Sequence, residues 1–293
     1  MSNTAPESRV PRGVRGGAGA WLRRAGGAAG QGRVGVRVFF VGGLISYRAL
    51  FGWLSPWVFI PSLLVAPVFQ ILLFVYIGRS AALESDEFYV IGNGLQYASI
   101  PCVFAMTNII AGERFQQTLG SILITPAPRL PLFVGRALPV VLNGFFVAAF
   151  GLVVGGLIVG IDVPASAYGP LALVTAVSAL SCTGLGLLSA GLGLIVRETA
   201  VLSNVIFGIL LVCTGANVPL DALPGWLSTA AQGLPFTHGI EAARLLADGA
   251  AFGEVARLVG SEGLIGIVYA TAGYLLIRVL ELHSRKHATL ERA

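Results

Sequence analysis

The sequence predicts an all-α membrane protein with six transmembrane helices, and three observations predict it. Charged residues occupy only 11% of the 293 positions while 55% are hydrophobic, and the mean hydropathy is +0.82. Soluble domains carry about 25% charged residues, so a soluble globular enzyme is excluded, and the apolar content excludes a disordered chain. The charges also leave long uncharged runs, at 49–78, 88–112, 137–161, 163–196, 199–220 and 263–277. Assigned alternately to the two sides of a membrane, the segments between those runs sum to +11 on one side and −6 on the other.

A bilayer core takes about 20 apolar residues per helix, and five of the six runs reach that length. The sixth continues through Val279, Leu280 and Leu282, with Arg278 placed to snorkel to the headgroups. A further uncharged stretch, 222–240, is broken by Pro224, Gly225, Gly233 and Pro235. It reads as a short external interfacial or re-entrant helical segment and not as a seventh span. No run shows the period-2 alternation of a membrane β-barrel strand.

Ahead of the first span, residues 1–35 form a basic arm rich in Gly and Arg with no apolar period, which predicts disorder. No apolar signal-peptide core follows its first arginines, so secretion is not expected. Its poverty in Ser and wealth of Gly argue against an organellar transit peptide. From Val36 the texture changes: Val36, Phe39, Phe40, Leu44, Tyr47, Phe51 and Leu54 recur near helical spacing, with Arg37 and Arg48 on one face. This is either an amphipathic interfacial helix or an extension of the first span. The transmembrane domain then runs over 36–282, and 283–293 form a short tail.

Orientation follows from Arg and Lys. With an even number of spans both termini share a side, and that side collects sixteen basic and five acidic residues, net +11. The opposite side keeps only Arg79, Arg244 and Arg257 against nine acids, net −6. Both termini are therefore expected in the cytoplasm, and the basic balance is a topology signal that requires no nucleic-acid partner. Eighteen of the nineteen basic residues are arginine, a bias expected of a GC-rich bacterial genome, which points to a bacterial cytoplasmic membrane.

The loop between the second and third runs, GERFQQTLGSILITPAPRLPLFVGR over 112–136, carries a helical pattern of its own. Phe115, Leu119, Ile122 and Leu123 form one apolar stripe, and Arg114, Thr118, Ser121 and Thr125 a polar stripe on another face. Pro126 and Pro128 end it. From periodicity alone this is either a surface helix closing the loop or a lever between two spans that a soluble partner could push.

The pattern Gly112-Glu113-Arg114, Thr118-Leu119, Ile122-Leu123, Thr125-Pro126, Arg129 and Gly135-Arg136 resembles the signature of ABC-2 type permeases, the membrane subunits of type V ABC exporters. The resemblance implies that this segment is a coupling helix docking into a groove of the ATPase subunit. Glu113 and Arg114 match its charged start, Phe115, Thr118 and Leu119 its body, and Thr125 and Pro126 its end. Gln117 stands where the family often has Gly. A second stretch, Pro235-Phe236-Thr237-His238-Gly239-Ile240-Glu241-Ala242-Ala243-Arg244-Leu245, is similar to the external region of the drug- and polyketide-exporting branch. By the same resemblance, the first and fifth spans line the interface through which substrate leaves.

The P-loop of an ATPase needs a lysine on the phosphates. The only lysine, Lys286, has no glycines upstream at the required spacing. The chain is therefore expected to be no enzyme and to hold no cofactor, with ATP and Mg bound by a separate nucleotide-binding subunit in two copies. A second permease chain, identical or related, completes the assembly that the resemblance implies. An ion-coupled secondary transporter is the competing class, but it would place ionisable relays within the spans. Among exporters, a hydrophobic small molecule, antibiotic or lipid-like substrate competes with a polysaccharide or glycolipid.

The remaining candidates read as architecture. Gly151 with Gly155, Gly156 with Gly160, and Gly186 with Ala190 are small-xxx-small pairs, expected to let helices pack closely. Asn108, Asn143 and Asn204 are amides in apolar runs, expected to bond between helices or to line a path. Cys102, Cys182 and Cys213 read as small core residues. His283 and His287 lack further metal ligands around them. Gly92-Asn93-Gly94 follows no strand, so a dinucleotide loop fails its context. No catalytic constellation is present.

Overall fold

The computed structural model describes residues 41, 60–108, 129–196 and 198–287. The basic arm, the amphipathic stretch after Val36 and the coupling segment from Glu113 to Pro126 lie outside these residues. Every regular element among the described residues is helical.

A wide π-type turn at Ile60–Val65, with Pro61 at its start, leads directly into α1, Ala66–Ala81, and Pro67 supplies no N–H to the ladder where the two join. The helix stops at Ala82, whose φ of 50° turns the chain, and Leu83 N donates back to Gly78 O at 3.1 Å. α2, Asp86–Gln96, starts on Ser85, whose Oγ accepts from Phe88 N at 3.2 Å. Asp86 and Glu87 in its first turn suit the positive end of the helix dipole.

The expected second span, 88–112, is not one uninterrupted α-helix. After Gln96 the chain turns, and a second π-type stretch covers Ile100–Ala105. Pro101 supplies no N–H to the α ladder, so the turn widens there. Met106 follows, and the stretch is tied to the next layer by Thr107 Oγ1, 2.8 Å from Ser189 Oγ.

α3 runs from Arg129 to Val159 with Pro139 inside it. It ends on Gly160 at φ 83°, with Ile161 N donating to Gly156 O at 3.0 Å, a left-handed glycine stop. A 3₁₀ turn, Ala165–Ala167, feeds α4, Tyr168–Gly193. α5 covers Thr199–Cys213. The stretch expected to be re-entrant holds a 3₁₀ turn, Leu220–Ala222, then α6, Gly225–Ala231, and α7, Thr237–Ala247. α8, Phe252–His287, has 36 residues. Four segments among the described residues are long and apolar enough to cross a membrane, namely 63–81, 134–159, 165–193 and 252–283, with α5 shorter.

The tightest packing is between α4 and α8, and it depends on glycine. A methyl group at Gly184 would sit 2.5 Å from Gly266 O, one at Gly266 would sit 2.6 Å from Ser181 Cα, and one at Gly273 would sit 2.5 Å from Leu188 N. Backbone therefore meets backbone along about two turns, the arrangement that gives dispersion its best return in a lipid solvent. By contrast α5 touches few described residues of the bundle, mainly the π stretch and α4. It shows Val201, Val205, Ile209 and Val212 outward.

The other expected packing glycines divide. Gly151 faces Gly94 Cα at 3.6 Å, Gly155 faces Ile71 Cδ1 at 3.0 Å, and a methyl at Gly186 would collide with Cys102 O. Gly156 and Gly160 meet nothing within 4 Å, so the second pair makes no helix contact among the described residues. The reason is angular: Gly155 points at α1 and α2, the next residue points away, and Gly160 serves to end the helix.

Gly184→Ala should separate α4 from α8 and cost about 1–3 kcal/mol, as overpacking does. Gly156→Ala, with open space around it, should be neutral or gain up to about 1 kcal/mol from helix propensity. Thermal unfolding of the two variants in detergent checks the contrast, and equal melting temperatures would contradict this packing.

Candidate functional site

One end of the bundle concentrates the polar chemistry. There α1 turns into α2, α3 ends, α5 ends, and α6 and α7 lie ahead of α8. Within it Arg79 grips Asp86 in a forked contact, Nε at 2.9 and 3.0 Å and Nη2 at 2.6 Å. That contact holds the Asp86 carboxyl below its ordinary range, while burial and the charge of Asp248 raise that of Glu87.

α5 stops at Cys213, and Gly215 at φ 80° redirects the chain. The carbonyls released by that turn have no successor helix to bond. Arg244 of α7 supplies the donor: its Nη2 lies 2.9 Å from Gly215 O, 3.5 Å from Ala216 O and 2.9 Å from Phe88 O in α2. Its guanidinium lies 3.5 Å above the Phe88 ring centroid, a cation–π contact. A cation at a helix C-terminus is favoured by the dipole as well. Burial pulls this guanidinium down to about 10, against the opposing fields of Glu84 and Glu241, so it stays charged at neutral pH. Gly92 makes the approach feasible, because a methyl there would collide with Ala216 O and lie 2.9 Å from Arg244 Nη2.

The opposite end of α7 is held by the opposite charge. Glu262 of α8 is 1% exposed, and its two carboxylate oxygens accept from Phe236 N at 2.8 Å and Gly239 N at 3.2 Å. Free amides at the start of a helix are an anion site, and here the anion is a side chain. The chain enters α7 through Phe236 at φ 73°, a left-handed conformation costly for a residue with a side chain. A methyl at Gly239 would collide with Ser178 Oγ of α4. Thus the carboxylate fixes α7 to the α4–α8 seam, and the guanidinium fixes it to α2 and α5.

Beneath Arg244, amides join three elements. Gln70 Nε2 of α1 donates to Asn93 Oδ1 at 3.1 Å and to Gln96 Oε1 at 3.2 Å. Asn93 Nδ2 donates to Tyr89 O at 3.0 Å and to Asn217 Oδ1 at 2.8 Å. Asn217, just past α5, donates to Leu211 O at 3.1 Å. Gln70 and Asn217 are half-exposed at the edge of the network. Such a chain of amides fixes a unique register between apolar helices.

Of the amides named from the sequence, Asn204 donates to Ala200 O of its own helix at 2.8 Å and bonds to no other helix among the described residues. Asn143 is buried in the wall of an apolar groove of about 640 Å³ between Leu64 and α3, while Asn108 is exposed. Cys102, Cys182 and Cys213 are all free and buried.

Pro235 to Leu245, taken from the sequence as an external motif, is where the structure brings both anchors of α7 together. Gly92-Asn93-Gly94 is weighed from the sequence only as a dinucleotide loop, and its packing role is visible only in the structure. Each residue has a contact: Gly92 under Ala216, Asn93 in the amide network, and Gly94 against Leu152 Cδ2, 2.7 Å from a methyl placed there. Its signal was present as two small residues flanking an amide inside an apolar run.

A family model described as ABC-2 type transporter matches residues 45–246. The match includes the 112–136 loop, α2, the α5 end and α7 with Arg244, and stops short of Glu262. No curated protein matches the chain.

Removing the Glu262 carboxylate leaves two buried N–H groups without an acceptor, at about 1–3 kcal/mol. Glu262→Ala should therefore lower the melting temperature and speed proteolysis between 232 and 250. Glu262→Gln, which keeps one carbonyl oxygen, should lose less. Limited digestion with peptide mapping checks the site of cleavage, and an unchanged digest for Glu262→Ala would contradict the anchor.

Proposed function

The chain belongs to the ABC-2 type transporter family, and from that premise we propose that it is the permease subunit of an ATP-driven exporter. The observation that carries the reading is the family match over 45–246, which spans both the loop with the Glu113-Arg114 signature and the Arg244 region. In this reading six helices cross the bacterial cytoplasmic membrane. The second is the α2 and π stretch together, and the fifth is α5. The net −6 end that bears α6 and α7 faces outward, and both termini with the net +11 segments lie in the cytoplasm.

Energy reaches the bundle through the coupling segment. Two copies of a separate ATPase subunit bind ATP and Mg, and their closure pushes on Glu113, Arg114, Phe115, Thr118, Leu119, Thr125 and Pro126. Differential contact with the two nucleotide states then biases the bundle between two packings. A second permease chain supplies the other wall of the path. The cargo is a hydrophobic small molecule, antibiotic or lipid-like compound. Outward apolar residues on α1 (Phe69, Leu73, Tyr76) and α5 (Val201, Val205, Ile209) are compatible with such a cargo.

Glu113→Ala combined with Arg114→Ala, co-expressed with the ATPase subunit, should lower substrate-stimulated ATP hydrolysis several-fold while membrane insertion is retained. Unchanged stimulation would overturn the coupling role.

A further inference from the structure

Among the described residues α5 is held only lightly to the other long helices. It touches the π stretch and α4 lightly and shows an apolar face outward. Its far end is nonetheless tethered, through the Gly215 and Ala216 carbonyls, to one guanidinium. We propose that Arg244 is a positioning residue for transport, a releasable latch that holds the end of α5 and the start of α2 against α7. In this proposal α7 stays fixed to α4 and α8 through Glu262 when the latch opens. The inference rests on the permease reading for its purpose, but the latch itself is a local property of the fold.

Two comparisons assign the releasable end to Arg244 and the fixed end to Glu262. Glu262 has both oxygens occupied by N–H donors and sits on the glycine seam, where backbone meets backbone. Arg244 is less completely satisfied: its Nε is buried with no acceptor among the described residues, and a single nitrogen, Nη2, serves all three carbonyls. A buried donor without a partner costs free energy in the closed arrangement and recovers it when water reaches it. The side chain is also only part-buried, so water has a short way to travel. Of the carbonyls it would leave, Gly215 O and Ala216 O lie just past the end of α5, where water can replace the guanidinium, and Phe88 O, in the first turn of α2, is already part of that helix's own ladder. Release therefore exposes groups that hydrate readily and breaks no helix.

Lysine does not substitute. Its ammonium is a compact point charge, strongly hydrated and without a planar face for the Phe88 ring. Gly92 matters for the same reason, since any side chain there would occupy the space of Ala216 and Nη2.

Hydrogen exchange of the full chain in lipid nanodiscs tests the latch without substrate or ATPase. Arg244→Ala and Arg244→Lys should both accelerate amide exchange over 210–218 and 86–92 by about tenfold or more, with 178–191 and 262–277 on the α4–α8 seam unchanged. Phe88→Leu removes the ring and keeps every carbonyl, and it should produce the same regional pattern at smaller amplitude. It serves where Arg244→Ala is not recovered folded. Unchanged exchange over 210–218, or acceleration of the seam to the same degree, would overturn the latch. Failure of the permease reading would appear elsewhere, as unchanged ATPase stimulation in the Glu113 and Arg114 double variant, and would leave the exchange pattern standing.

Discussion

A helix that ends within a bundle leaves carbonyls or amides that its own ladder cannot satisfy and that need a partner from elsewhere. This chain has two such ends close together, the C-terminus of α5 and the N-terminus of α7, and a scarce supply of charge to close them. Arg244 closes the first and Glu262 the second. The rest of the polar architecture follows from these two contacts. Gly92 exists where α5 and Arg244 must pass α2, and Gly239 where α7 must pass Ser178. Phe236 adopts a left-handed backbone so that its amide can reach the carboxylate.

The two closures differ in kind, and the difference divides the molecule. On one side α4 and α8 meet backbone to backbone through Gly184, Gly266 and Gly273, and Glu262 joins α7 to that wall. On the other side α1, α2 and the end of α5 are joined by amides, from Gln70 through Asn93 to Asn217. Dispersion between close backbones is lost steeply with separation. Hydrogen bonds between amides can be exchanged for others of similar strength. A family whose members move molecules across membranes would be served by one wall of the first kind and one of the second.

Much of the fold was legible in the sequence because its cause is compositional. Charge-free runs reveal helices whatever their neighbours are, and α3, α4 and α8 fall where the runs place them. The run over 88–112 hid its internal break, because Pro101 permits a widened turn as readily as a kink, and only packing chooses between them. The site was legible in part. Pro235 to Leu245 stood out by resemblance, yet its meaning lies in partners far along the chain: Phe88, Gly92, Gly215 and Ser178. Those pairings join residues separated by more than a hundred positions in the case of Phe88 and Arg244, and no periodicity records them. Glu262 was counted only as one of nine acids on its side. Its role depends on three-dimensional position at the start of another helix, which a count of charges does not contain. Gly156 and Gly160 meet no described residue, and their small-xxx-small spacing marks a surface able to pack without saying what packs on it.

The central claim is that α4 and α8 form a fixed wall while α5 moves against it. Spin labels at Leu180→Cys on α4, Val205→Cys on α5 and Leu264→Cys on α8, all at outward-facing positions, would measure it in the complex with the ATPase subunit. Pulsed electron paramagnetic resonance should show the 180–205 distance distribution shifting when the ATPase is trapped with nucleotide, while the 180–264 distribution stays in place. A shift of both distances together, or of neither, would contradict the account.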